Sequence, residues 1–140
     1  MDKKSKKTQK NGLIILLKFG GWFEMGLAVM FLFTGYITDY LLLPGGLPLF
    51  YQLAAVELMI LGFLLVYSAR DIDRYLVIIL GSCVLRFAMA LGPEPYAVVT
   101  LWPNLLAVSL IPAMAYDILS GALILFLLFQ LGYIGHKKVS

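Results

Sequence analysis

Four charged side chains stand where the chain is otherwise apolar: Glu24, Glu57, Arg86 and Asp117. An arginine in lipid-like surroundings costs at least ~2.5–3.5 kcal/mol unless it finds a partner. Arg86, inside YLVIILGSCVLRFAMAL (residues 75–91), therefore calls for a carboxylate. Buried carboxyls can hold a guanidinium, carry a proton or bind the polar head of a ligand. Three carboxyls and one guanidinium leave two excess negative charges if all ionise, which a low-dielectric site does not tolerate. One or two carboxyls are then expected to be protonated at neutral pH, or a cation or polar ligand is bound. The quieter alternative is a polar clasp, in which Arg86 pairs with one acid, the others are neutral hydrogen-bonders, and the group only orients helices.

Other chemistries lack their residues. His136 is the only histidine and lies in the C-terminal tail, so one chain cannot supply two axial histidines to a haem. Cys83 is the only cysteine, which excludes an intrachain disulfide and a CxxC redox motif. It reads as a small structural residue of the third apolar stretch. No His/Cys/carboxylate cluster has metal-ligand spacing within the apolar stretches, no Ser-His or Cys-His pair lies there, and no phosphate loop occurs. No recognisable motif assigns a cofactor. Tyr116, beside Asp117, and Ser82, on the Arg86 side, are the polar residues placed to support the charged group.

The elements that must position these residues are four apolar blocks, at about 12–36, 49–67, 75–91 and 105–131. The chain of 140 residues is 61% apolar and 14% charged, against about 45–50% and 25% for a soluble domain. The blocks approach membrane-spanning length. The expected fold is therefore all-α, a polytopic membrane protein built as an antiparallel bundle of four transmembrane helices. Residues 1–11 read as a disordered basic tail and 136–140 as a second tail. Block one begins after a basic segment, as a signal peptide would, but Lys18 interrupts it and it is too long, so it reads as a retained helix. The breaker-rich segment 38–48 forms the first connection, with Pro44, Gly45, Gly46 and Pro48. SARDIDR (68–74) is a short turn that makes blocks two and three neighbours. Pro93, Pro95 and Pro103 rule out one continuous helix through 92–104, which reads as a segment lying at the interface with Tyr96 and Trp102 at headgroup level.

Lys and Arg fall in the N-terminal run, at Lys18, in the 68–74 turn and at the C-terminus, whereas the other two connections carry only Asp39 and Glu94. Four spans with both termini cytoplasmic satisfy the positive-inside rule in a cell membrane. The N-terminal lysines, with no aromatics among them, read as a topology signal near anionic lipid and not as a nucleic-acid arm. At ~1.5 Å per residue, Arg86 lies ~9 Å and Glu57 ~12 Å from the outer end, with Glu24 and Asp117 ~18 Å deep. Glu57 is the expected partner of Arg86, through the tight hairpin, with Asp117 next. Gly20, Gly21, Ala28 and Gly35 along the Glu24 face permit close helix approach. Ala113, Ser120 and Gly121 do so beside Asp117.

WFEMGLAVMFLFTGY in the first block, the LLLPGG loop, ELMILGFLLVYSARDIDRY across the second hairpin and VLRFAMAL in the third resemble the DoxX-like group of small four-helix membrane proteins. That resemblance implies an accessory or quinone-associated role beside a membrane oxidoreductase and supplies no catalytic residue. Three functions follow as expectations. The first is a pocket, formed by Glu24, Glu57, Arg86 and Asp117, for an amphiphilic small molecule such as a quinone, alone or within a redox complex. The second is a proton- or cation-coupled carrier, dimeric, with Glu24 and Glu57 as protonatable sites. The third is a helix-packing partner of another membrane protein that binds no ligand. Independent enzyme activity is not expected.

Overall fold

A computed structural model describes residues 3–40, 48–102 and 105–135. The chain forms α1 (Lys3–Tyr40), α2 (Pro48–Ser68), α3 (Leu76–Leu91), α4 (Pro93–Leu101) and α5 (Leu105–Leu131). No strand occurs among the described residues. Lys6–Phe33, Leu76–Thr100 and Leu110–Leu131 are helical, long and apolar enough to cross a membrane, and Gln52–Ser68 is a shorter apolar helix. Of the expected connection 38–48, residues 38–40 continue α1 and Pro48 opens α2, and 41–47 lie outside the described residues, as do Pro103 and the C-terminal tail at 136–140.

Two segments differ from expectation. The stretch expected to be a disordered tail is helical from Lys3, so the helix does not begin at residue 12. No proline interrupts residues 3–11, lysine and glutamine are good helix formers, and this turn of α1 has partners. Gln9 Nε2 donates to Gln130 Oε1 at 3.4 Å, and Lys10 Nζ lies 3.5 Å from Asp73 Oδ2. The segment after Gly92 is helical as well. Its prolines fall at the first and third positions of α4, where missing N–H groups have no helical acceptor to lose. Only Gly92 breaks the line between α3 and α4. α4 packs against α5, bringing Ala97 and Val98 to Leu110. Tyr96 and Trp102 are exposed.

Glycine sets the closest packing. A Cβ on Gly21 would stand 2.5 Å from the Gly62 carbonyl oxygen, and one on Gly62 would stand 2.5 Å from that of Gly21. The α1 and α2 backbones therefore touch, in the manner of small-residue helix crossings. Gly21 also faces Val66, and Met25 faces Gly62, so the contacts run in reverse order along the two helices. Beyond this pair, α2 meets α3, and α5 meets α1, α3 and α4. Among the described residues α1 and α3 are not direct neighbours, nor are α2 and α5. The four long helices thus form a ring in the order α1, α2, α3, α5.

Leu13, Leu17, Leu65, Ile72, Ile79, Cys83, Ile124 and Leu128 fill one half of this ring. At that end α5 closes with Gly132 at φ 81°, where Gly132 and Tyr133 N–H groups donate to the Phe129 and Leu128 carbonyls. This reversal carries the Tyr133 hydroxyl to within 3.3 Å of Asp73 Oδ2. The start of α1, the 69–75 turn and the end of α5 are so tied together. Their ion pair is largely exposed, and exposed pairs contribute roughly 0.2–1 kcal/mol. Lys10→Ala is expected to lower stability by no more than about 1 kcal/mol in a thermal melt; a loss of several kcal/mol would mean that this end anchors the whole bundle.

Candidate functional site

On α3, the residues Ile79, Ser82, Cys83, Arg86 and Ala90 are buried, while Val77, Val84 and Leu91 face outward. The helical repeat therefore turns Arg86 into the ring, where it is 2% exposed. Its Nη1 donates to Asp117 Oδ1 at 2.7 Å and to Ser120 Oγ at 3.0 Å. Asp117 and Ser120 stand one turn apart on α5 and so present both acceptors to one donor. Nη2 meets Glu24 Oε1, from a side chain only 1% exposed. The guanidinium carbon lies 5.1 Å from the centre of the Tyr116 ring, within cation–π range. That ring is wedged against Phe23, with centroids 5.1 Å apart. A Cβ on Gly20 would lie 3.4 Å from the Tyr116 hydroxyl, so this face of α1 stands in contact with Tyr116. On the other side, Phe87 fills the space beside Gly121.

Arg86 thus joins three helices and spans the ring diagonally, from α3 to Glu24 on α1. Charge-assisted hydrogen bonds of this kind are about twice as strong as neutral ones. Of the residues proposed from sequence, Glu24, Arg86, Asp117 and Tyr116 come together. Glu57 does not, and the expected Glu57–Arg86 pair is corrected: Arg86 pairs with Glu24 and Asp117. The reason is angular. Leu85, one residue earlier and about 100° around the helix, is the α3 residue that faces α2 at the Glu57 level. Ser82 supports its own helix, donating to the Ile79 carbonyl at 2.7 Å, and does not contact the guanidinium. Cys83 is buried and unpaired by any disulfide, in the packed half of the ring.

Glu57 instead stands in the wall of a cleft of about 430 Å³ between α2 and α3, lined otherwise by Leu53, Val56, Ile60, Leu61, Leu64 and Leu85. The cleft opens to the outside of the ring, where Leu53, Val56 and Ile60 are each more than half exposed. The expected four-residue pocket is thereby split into a closed triad around Arg86 and a lateral apolar cleft with one carboxyl.

A further acid, Glu94, was not singled out in the sequence because 92–104 read as an external connection. It occupies the first turn of α4, a favourable place for a negative charge at a helix N-terminus. It is 9% exposed, and its Oε2 has no hydrogen-bond partner among the described residues. Its carboxyl interacts electrostatically with Asp117 and Glu57. The available signal was its isolation: Glu94 is the only charged residue between Arg86 and Asp117. Among the described residues no group of three His, Cys, Asp or Glu side chains is arranged to hold a metal ion.

Fold and site together define an all-helical protein, with three helices fit to cross a membrane and one arginine bound by two acids at its centre. No family model, curated protein or solved structure matches the chain.

Proposed function

We propose that the chain is a four-span integral membrane protein, with antiparallel helices and both termini cytoplasmic, that admits an amphiphilic small molecule into the cleft between α2 and α3. The triad of Glu24, Arg86 and Asp117 serves as the clasp that shapes the bundle. Large apolar side chains such as Phe19, Trp22, Phe33, Phe63, Val77 and Phe126 cover the outside, as lipid-facing surfaces require. The basic start of α1 meets the 69–75 turn with its Arg70 and Arg74 at one end, which supports a cytoplasmic assignment for that end.

One observation carries the binding function: Glu57 is an acid that Arg86 leaves unengaged, and it stands in an otherwise aliphatic cleft. The volume falls within the roughly 300–1,000 Å³ of ligand sites, which combine apolar walls with few polar groups. Because Arg86 is enclosed, the head group meets a carboxyl and not a guanidinium. An ionised carboxyl accepts hydrogen bonds from a quinol hydroxyl or an amine, and a protonated one donates its O–H to a quinone carbonyl. The DoxX-like resemblance would place such a protein beside a membrane oxidoreductase.

Native mass spectrometry of protein extracted gently from its own membrane, beside Val56→Trp, tests this. Val56 is a cleft residue and 55% exposed, so tryptophan there fills the cleft without entering the core. An extra small mass on the wild type that disappears in the variant is the expected result. Bare protein in both would leave the charged group as a clasp alone.

A second reading, a proton-coupled carrier, is favoured by the electrostatic linkage of Glu57, Asp117 and Glu94. Proteoliposomes showing no flux driven by a proton gradient, and no such flux lost in Glu57→Gln, would count against it.

A further inference from the structure

We infer that the 69–75 turn is a built site for the phosphate of an anionic phospholipid, held by Arg70 and Arg74, with the lipid's acyl chain along the outer face of α2. The site rests on the membrane-spanning reading above and is independent of what the cleft at Glu57 binds. The turn is held by its own backbone: the N–H groups of Arg70, Asp71 and Tyr75 donate to the carbonyls of Tyr67, Ser68 and Asp71 at 3.0–3.2 Å. Two tyrosines are joined across it. The Tyr75 hydroxyl donates to that of Tyr67 at 3.1 Å, and the ring centroids lie 4.9 Å apart. Each ring carries one arginine. The guanidinium carbon of Arg70 lies 5.3 Å from the centre of the Tyr67 ring, and that of Arg74 lies 5.5 Å from the centre of the Tyr75 ring. A ring contact of this kind positions a guanidinium and leaves its N–H edge free to bond.

The acids of the turn are engaged elsewhere. Asp71 Oδ1 accepts the backbone N–H of Arg74 at 3.2 Å. Asp73 Oδ2 meets Lys10 Nζ and the Tyr133 hydroxyl. Among the described residues neither Arg70 nor Arg74 has a carboxylate within ion-pair distance, and both are exposed. The Tyr67 hydroxyl accepts from Tyr75 and keeps its own hydrogen to donate. Two guanidinium forks and one hydroxyl are thus left for an outside acceptor, and the fork matches the oxygens of a phosphate.

The side chains beyond Tyr67 decide where the phosphate comes from. Leu53, Val56, Ile60, Phe63 and Tyr67 recur at three- and four-residue steps on one face of α2. The first four are each more than half exposed. Phe63 stacks on Tyr67 with centroids 6.1 Å apart, so the apolar face runs up to the arginines without a gap. From Leu53 to Tyr67 it measures about 21 Å at about 1.5 Å per residue, longer than the roughly 15 Å of one leaflet's hydrocarbon. A free phosphate would leave this face bare, whereas a lipid covers it. Lys6 and Lys7 are exposed on the start of α1, which Lys10 ties to the turn. Their charge favours an anionic headgroup. A zwitterionic one offers the same phosphate together with a fixed cation, which these side chains repel.

The test uses the full-length protein in dodecylmaltoside. Dioctanoyl phosphatidylglycerol, dioctanoyl phosphatidylcholine and glycerol phosphate are the probes, and bound molecules are counted by native mass spectrometry. Wild type is compared with the double variant Arg70→Lys, Arg74→Lys, which keeps both charges and loses both forks. Wild type is expected to bind phosphatidylglycerol about tenfold tighter than phosphatidylcholine. The double variant should lose that preference, and glycerol phosphate should not displace the lipid from wild type. A preference that survives in the double variant would overturn the site, because charge alone then accounts for it. Displacement by an equal concentration of glycerol phosphate would overturn the lipid assignment. Equal binding of the two lipids by wild type would overturn the proposal without any variant, which keeps the test decisive should the double variant fail to fold. Flotation with phosphatidylcholine liposomes separates this from the membrane-spanning reading. Protein that floats but shows no lipid preference loses only this site, and protein that stays in the aqueous phase loses both.

Discussion

Arg86→Met is expected to destabilise the protein by about 3–5 kcal/mol, the cost of breaking a buried charge pair by removing one partner. The cost arises mostly from what remains. Glu24 and Asp117 lose their counter-ion, and Glu24, 1% exposed, has no route to water. Adding Glu24→Gln and Asp117→Asn to Arg86→Met should recover a large part of the loss, because neutral side chains do not need the guanidinium. Thermal melts of the single and triple variants in the same detergent provide the comparison. If the single variant melts with wild type, the triad does not hold the bundle together. If the triple variant is no better than the single, packing around the arginine stem, and not charge, dominates.

The second large effect is steric. In Gly62→Ala, the new methyl group would stand 2.5 Å from the Gly21 carbonyl oxygen and 2.8 Å from Met25 Cγ. A flexible side chain can move, but a helix backbone cannot swing aside, so α1 and α2 must part. Overpacking typically costs ~1–3 kcal/mol and occasionally more, and this site belongs at the upper end. It also shifts Glu24, less than one turn from Gly21, relative to Arg86. Gly26→Ala is the matched control. Nothing lies within 4 Å of a Cβ there, and alanine should gain up to about 1 kcal/mol of helix propensity. The two substitutions are the same in chemistry and should move the melting temperature in opposite directions. Movement in the same direction would mean that the close approach of α1 and α2 does not set the packing.

The inward faces were legible in the sequence because the helical repeat writes them there. Leu13, Leu17, the Gly20-Gly21 pair, Glu24 and Ala28 recur at three- and four-residue steps and are all buried. Gathering Arg86 with acids was legible too, since a lone arginine in apolar surroundings must find them. The choice of acid was not. Sequence adjacency makes α2 and α3 neighbours, but it does not state which side of α3 meets α2. That side belongs to Leu85, and Arg86 points across the ring instead. Glu94 was missed because prolines at a helix start and prolines in a loop look alike without the backbone, and the helical start of α1 was missed because its partners, Gln130 and Asp73, lie far along the chain.

The diagonal link between Glu24 and Arg86 has a consequence for biogenesis. Helices emerge from the ribosome in chain order, so α1 and α2 can dock through Gly21 and Gly62 before α3 exists. During that interval Glu24 has neither its arginine nor the α5 residues that complete the site. The nascent hairpin must shelter an unmatched acid, and only the arrival of Arg86 removes the mark of an unfinished protein. A chain halted after α2 would keep that unmatched acid, so a partial product and a whole one differ by one uncompensated buried charge.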